Sequence, residues 1–204
     1  DEPLTDFVNR FLKRMFDLVF SIFVIVFILV WLYPLIAILI KLSSKGPVLF
    51  KQLRSGVNNN DFICYKFRSM TISDESDSKQ ATKGDARVTK LGAFLRKTSL
   101  DEFPQFINVL LGDMSIVGPR PHMLLHTSEY SKLINKYMVR QLVKPGITGI
   151  AQVRGYRGET KELEDMEGRV RLDVWYIENW SLSLDINIVL QTIWNIFKGD
   201  DKAY

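Results

Sequence analysis

LVFSIFVIVFILVWLYPLIAILI, residues Leu18 to Ile40, contains 23 consecutive uncharged, mostly apolar positions. As a straight helix it would reach ~34 Å, enough to cross a hydrocarbon core of ~30 Å. Pro34 interrupts it. A proline inside a helix removes one hydrogen bond and presses on the carbonyl four residues back, that of Val30, at a cost of ~3 kcal/mol or more. The expected halves, Leu18 to Tyr33 and Pro34 to Ile40, would span roughly 24 Å and roughly 10 Å, and neither alone crosses a bilayer. Arg10, Lys13 and Arg14 precede the run, while Lys41, Lys45, Lys51 and Arg54 follow it. Cations on both flanks favour a re-entrant hairpin with both ends on the cytoplasmic side, because a single span collects its Lys and Arg on one side. An ordinary span remains the alternative, since membrane helices tolerate proline when freed carbonyls find partners. A signal peptide fits less well, the run being longer than ~7 to 15 residues and lacking a small-x-small cleavage pattern.

The 204 residues are 47% apolar and carry a formal charge of +4, which is enough for one core and favours anionic partners. Cys64, His122 and His126 are the only soft metal ligands, so a disulfide framework is excluded and a zinc site would need carboxylates. Cys64 reads as a small buried apolar side chain. The chain begins at Asp1, as a processed product or an excised piece would.

Pro47 to Arg54 and Phe62 to Arg68 read as strands around the turn Gly56 to Asp61. From Lys41 to Met70, six Lys or Arg face only Asp61, with Phe50, Phe62, Tyr65 and Phe67 interleaved. Placed directly after an apolar segment, these cations suit lipid headgroups or phosphorylated substrates better than nucleic acid. Ser73 to Ala86 is polar and reads as a loop or lid. Thr89 to Lys97 has apolar residues at helical spacing. Ser99 and Glu102 then match a capping box, whereas a helix starting at Pro104 would leave Asp101 and Glu102 just before it. Either register puts both carboxylates beside a helix N-terminus, where the macrodipole favours their charged forms. Such acids suit a nucleophile or a magnesium ligand. The helix Pro104 to Leu111 has a wide apolar face for core packing or a membrane interface. GDMSIVGPRP, Gly112 to Pro121, holds Arg120 between two prolines, where its planar fork could meet phosphate.

Toward the C-terminus, the Gly-rich stretch Pro145 to Gly158 contains Arg154 and Arg157, and its backbone could approach a nucleotide phosphate. Glu159 to Glu167 reads as an acidic, solvated helical surface. Asp173 reads more readily as a structural salt link than as a substrate ligand. Trp175, Tyr176, Trp180 and Trp194 are rings of the kind enriched at membrane interfaces, with core packing as the alternative. A last helix, about Leu184 to Phe197, has Ser183 to cap it and Gly199 to close it.

KFRSM at Lys66 to Met70, RVTKLGAFLRKTSLDEFPQFINVLLGDMSIVGPRP at Arg87 to Pro121 and KPGITGIAQV at Lys144 to Val153 form one series. It resembles the bacterial sugar transferases, and within them the monotopic phosphoglycosyl transferases, over essentially the whole chain. The resemblance implies an α+β, helix-rich fold. A linker over residues 1–17 would precede a re-entrant membrane helix over 18–42, bent at Pro34, and a catalytic domain over 43–204 on the cytoplasmic face of the bacterial inner membrane. It also implies transfer of a sugar 1-phosphate from a UDP-sugar, glucose or galactose being favoured, to undecaprenyl phosphate, with release of UMP. Asp101 aligns with the family's nucleophile and Glu102 with its Mg2+ ligand. Arg96 and Arg120 are implied phosphate-binding residues, with Arg87 and Arg154 as weaker ones. Bacterial membrane lipids would be partners, with homo-oligomerisation left open. So is whether the chain is a small enzyme or the catalytic part of a longer one, in exopolysaccharide or capsule assembly. A non-catalytic membrane module, or a direct glycosyltransferase releasing UDP, are the alternatives.

Overall fold

The fold, taken from a computed structural model, is described for residues 2–71, 82, 84–156, 158 and 163–198. Its apolar segment belongs to one helical stretch, Phe7–Ser43. Asp6 starts it by accepting a hydrogen bond from the Asn9 amide. Helix α1 (Phe7–Val24) runs through a π-helical turn at Ile25–Leu29 into α2 (Val30–Ser43). Helical geometry continues through Pro34, and the π-helical turn ends just before Val30, the residue whose carbonyl faces the proline. Adjustments of this kind re-satisfy groups that proline frees. The helix also starts well before Leu18. Its 37 residues would reach ~55 Å if straight, far beyond a ~30 Å hydrocarbon core.

The first turns are bound to protein. Lys13 donates to Asp185 (2.6 Å) and to the Val117 carbonyl (2.8 Å). Asp17, almost fully buried, accepts from the Ser115 hydroxyl and the Ile116 amide, both at 2.9 Å. Arg14 donates to the carbonyls of Val109 and Leu110. Beyond these residues the helix presents Phe23, Phe27, Trp31, Leu35, Ile38 and Leu42 to the outside.

Strands β1 (Leu49–Ser55) and β2 (Asp61–Phe67) form an antiparallel hairpin in which Gln52 pairs with Cys64 and Arg54 with Phe62. Helix α3 (Lys90–Lys97), capped by Thr89, leads through a 3-10 turn at Leu100–Glu102 into α4 (Gln105–Leu111). Strand β3 (Ser115–Val117) pairs in parallel with β4 (Gly146–Thr148), across a connection containing α5 (Leu124–Leu133) and a 3-10 segment, Tyr137–Leu142. A short α6 (Ile150–Val153) and the longer α7 (Leu163–Glu178) and α8 (Leu182–Lys198) complete the chain. The result is the helix-rich α+β architecture expected.

Two apolar clusters position the site. Val109, Met114, Ile116, Val117, Tyr176 and Ile177 lie at the centre of the larger one. The smaller joins Leu29, Ile36 and Ile40 of the long helix to Phe67 and Leu95, with Leu100 and Phe103 packed against it. The acidic turn thus rests on the apolar helix. Arg68 tightens this seat by donating to the carbonyls of Lys45 (2.6 Å) and Ser44 (2.7 Å) beyond the end of α2. Gly92 lets α3 approach, because a Cβ there would stand 1.8 Å from the Ser69 carbonyl oxygen.

Several local expectations are corrected. Ser99 has a left-handed backbone (φ 59°) and makes no side-chain cap, so the capping-box register is not adopted; Pro104 stands at the N-cap of α4 instead. Ser181, rather than Ser183, caps α8 by accepting from the Leu184 amide. Tyr176 and Trp180 are buried and both donate to Asp185, so they are core residues, while Trp175 and Trp194 are exposed. Helix α4 serves the core at Asn108 and Val109 and exposes Leu111. Of the loop expected over Ser73 to Ala86, residues 73–81 and 83 lie outside the described residues, as do Arg157, Gly199 and residues 159–162; the acidic start of α7 at Glu164 and Asp165 is exposed.

Asn108 ties α4 to β2. Fully buried, it accepts from the Tyr65 amide (3.0 Å) and donates to the Ile63 carbonyl (2.7 Å). Asn108→Ala would leave these two part-buried backbone groups without their protein partner, a loss of about 2–3 kcal/mol. Thermal denaturation in detergent is expected to show Tm lowered by roughly 5–10 °C; an unchanged Tm would mean that Asn108 does not carry this junction.

Candidate active site

Along β2, Phe62 and Cys64 point into the core, and the alternation of a strand places Lys66 on the same side. Lys66 reaches Glu102 Oε1 at 2.8 Å. Arg120, from the proline-bracketed loop, reaches the same carboxylate in a forked arrangement, Nη2 to Oε1 at 2.6 Å and Nη1 to Oε2 at 3.3 Å. Three separate segments therefore converge on one carboxylate.

Burial alone would raise the Glu102 pKa, but Arg120 and then Lys66 outweigh it and hold Glu102 well below the usual carboxylate range. Asp101 behaves in the opposite way. Burial and the adjacent Glu102 charge push it up to about 6, against the pull of Lys66, Arg96 and Arg120. This corrects the expectation that a helix N-terminus keeps both acids low: α4 begins only at Gln105, and desolvation is the larger effect at Asp101. At neutral pH Asp101 is still mainly a carboxylate, and a more basic one than usual.

Of the expected phosphate ligands, Arg120 sits at the site and Arg96 acts on Asp101 electrostatically. Arg87 is engaged by Asp85, with Nη2 to Oδ2 at 2.6 Å. Arg154 lies exposed at the end of α6 and takes no part in the ion pairs at Glu102. The structure singles out Lys66, which the sequence offered only as one of six cations suited to lipid headgroups or phosphorylated substrates, although a cation at the inward parity of an apolar strand is a readable signal. It also adds a buried array behind Arg120. Arg140 Nε donates to Asp173 Oδ2 at 2.7 Å, so Asp173 is the salt link expected, and Arg140 also meets His122, whose Nδ1 lies 2.6 Å from the Tyr137 hydroxyl.

Among the described residues no group of three or more His, Cys, Asp or Glu could hold a metal ion. Two adjacent carboxylates do, however, suit magnesium, which takes one or two protein carboxylates with substrate phosphates and water. Glu102 Oε1 is occupied by Lys66 and Arg120, while Oε2 accepts only one long bond from Arg120. The residues fit an ion that arrives with a diphosphate rather than one caged by protein.

The sequence pattern of the bacterial sugar transferases matches residues 8–199. This chain belongs to the bacterial sugar transferase family. It is 50% identical over 200 residues to a Klebsiella pneumoniae protein named UDP-glucose:undecaprenyl-phosphate glucose-1-phosphate transferase, covering 98% of this chain and 42% of that protein. A Xanthomonas campestris pv. campestris protein of the same name is 53% identical over 178 residues, covering 85% and 37%. A Rhizobium leguminosarum bv. phaseoli protein named exopolysaccharide production protein PSS is 43% identical over 187 residues, covering 89% and 93%. The chain thus spans less than half the length of the first two relatives and nearly all of the third.

The acid pair of this sugar transferase has a thermodynamic signature. Asp101 has a folded-state pKa of about 6 against an ordinary value of 3.8, so its ionisation opposes folding above pH 6, and the penalty vanishes below about pH 4. Asp101→Asn is expected to be more stable than the unsubstituted protein at pH 8 by about 1–3 kcal/mol and indistinguishable near pH 4. Denaturation measured across this range checks the sign; equal stability at both pH values would rule out a raised Asp101 pKa.

Proposed function

We propose that this chain is the catalytic part of a phosphoglycosyl transferase that moves glucose 1-phosphate, or a related hexose 1-phosphate, from a UDP-sugar to undecaprenyl phosphate and releases UMP. The observation that carries the reading is the pairing of a raised, ionisable Asp101 with a Glu102 fixed by Lys66 and Arg120, seated on an apolar helix. A lipid-linked acceptor and a nucleotide diphosphate must meet at such a boundary.

An Asp101 carboxylate oxygen attacks the β-phosphorus of the UDP-sugar, forming an acyl phosphate as the bond to the bridging oxygen breaks and UMP departs. A phosphate oxygen of undecaprenyl phosphate then attacks the same phosphorus, regenerating the Asp101 carboxylate and yielding undecaprenyl diphosphate sugar. Arg120 and Arg96 supply fixed positive charge for the transferred phosphoryl group, and Lys66 with Arg120 holds Glu102 in place. The raised pKa increases the basicity of the attacking carboxylate while leaving it mainly ionised at pH 7. Magnesium, held through Glu102 and substrate oxygens, would neutralise the diphosphate.

Two of the three relatives named above carry glucose in their names, which supports that sugar. A relative from Aeromonas hydrophila, 47% identical over 164 residues, is named as an N-acetylgalactosaminephosphotransferase, so family membership leaves the sugar open. The first check is intact-mass measurement of the detergent-solubilised protein with magnesium and UDP-glucose, UDP-galactose or UDP-N-acetylgalactosamine, without acceptor lipid. A sugar-phosphate adduct with stoichiometric UMP is expected on the unsubstituted protein. Chelation of magnesium should reduce it at least tenfold, and Asp101→Asn should eliminate it. Substantial turnover by Asp101→Asn would reject Asp101 as the nucleophile, and UDP as product would indicate direct glycosyl transfer.

The π turn, Pro34 and the cations on both flanks support a re-entrant helix in the inner membrane, with the catalytic domain on the cytoplasmic face. Its attached first turns leave the apolar part after Asp17 to enter the bilayer. Single cysteines at Asn9 and Ser44 in a Cys64→Ser background should both be shielded from an impermeant thiol reagent added to intact cells and labelled after lysis. Labelling of one from outside would establish an ordinary span.

A further inference from the structure

The loop bearing Arg120 lines a narrow cleft open to solvent, together with Ser55, His122, Thr127, Tyr137 and Arg140. Polar ties help to set its position. The Ser55 amide donates to the His122 carbonyl (3.2 Å), and the Gly146 amide to the Pro119 carbonyl (2.9 Å). The carbonyl of Arg120 itself receives Nη2 of Arg140 at 2.9 Å.

Arg140 has the geometry for this task. Its Nε is bound to Asp173 at 2.7 Å, and the two side chains are only 5% and 2% exposed. Nη1 lies 3.0 Å from His122 Nδ1. The guanidinium is carried 5.3 Å from the centre of the Tyr137 ring. A planar fork fixed at one edge by Asp173 and along its plane by the ring directs Nη2 at the Arg120 backbone. A lysine at this position would keep the charge but has one nitrogen and no fork.

We infer that Arg140, oriented by Asp173 and His122, is a positioning residue for the transfer: it holds the Arg120 backbone so that the Arg120 guanidinium reaches Glu102 and the transferred phosphoryl group. The inference rests on the function proposed above. Arg140 acts through Arg120, and this sets it apart from a residue that only stabilises the fold.

The test is a double-mutant cycle read as the single-turnover rate of UMP release from the sugar nucleotide that the unsubstituted enzyme accepts, in detergent with magnesium. Arg140→Lys is expected to slow release by about ten- to a hundredfold with KM changed less than threefold, since the transition state loses a positioned charge. In an Arg120→Lys background, where the fork is already gone, the same substitution should cost less than threefold. Tm should fall equally in both backgrounds, separating folding from positioning. Equal fold-losses in the two backgrounds would overturn the inference while leaving the proposed function intact. Should Arg140→Lys fail to fold, Asp173→Asn, which loosens the same fork, enters the cycle with the same expected non-additivity. Absence of UMP release from the unsubstituted enzyme with every sugar nucleotide would overturn the proposed function and this inference together.

Discussion

A carboxylate cannot sit beside an apolar core without compensation, and Glu102, with 11% of its side chain exposed, is compensated twice. Lys66 arrives from the hairpin and Arg120 from a loop beyond α4, so the ion pair joins parts of the chain 36 and 18 residues away. Removing either cation would leave a buried charge short of a partner, a defect that costs about 3–5 kcal/mol in comparable settings. The arrangement divides two adjacent acids into different roles. Glu102 receives the cations and stays ionised; Asp101, desolvated by burial and crowded by Glu102, becomes the more basic of the pair.

The long helix is the second constraint. It is bound at its start by Lys13, Arg14 and Asp17 and near its end by Arg68, which bonds the chain just beyond α2. Between these ties it supplies apolar residues beneath the acidic turn while exposing a row of large apolar side chains on its other side. Polar anchoring at both ends and apolar contact between them fix the position of the acid pair over the long helix.

Much of this was legible in one dimension. The apolar run, the hairpin around Gly56 to Asp61, the helix following Thr89 and the Asp101–Glu102 pair declare themselves by hydropathy, turn residues and spacing, because each depends on neighbours only a few positions away. Other features admitted two readings for an equally local reason. The capping-box spacing of Ser99 and Glu102 is real, but Ser99 turns left-handed, and Glu102 is drawn to Lys66 and Arg120 instead. Tyr176 and Trp180 have the amphipathic character of interface rings, yet a buried Asp185 claims their polar atoms and brings them into the core.

Composition and motif therefore determined that this chain carries an apolar helix, a net positive charge and a pair of acids in the pattern of the bacterial sugar transferases. Tertiary structure decided which arginine meets those acids. Arg87 and Arg120 are alike as residues, but Arg87 is taken by Asp85 two positions away, whereas Arg120 stands on a loop tied by Arg140 and Asp173. It also decided that Asp101 rises while Glu102 falls, because a pKa follows from burial and from charges brought near in space. Those charges come from β2 and from the loop after β3, and sequence distance carries no record of how close they stand.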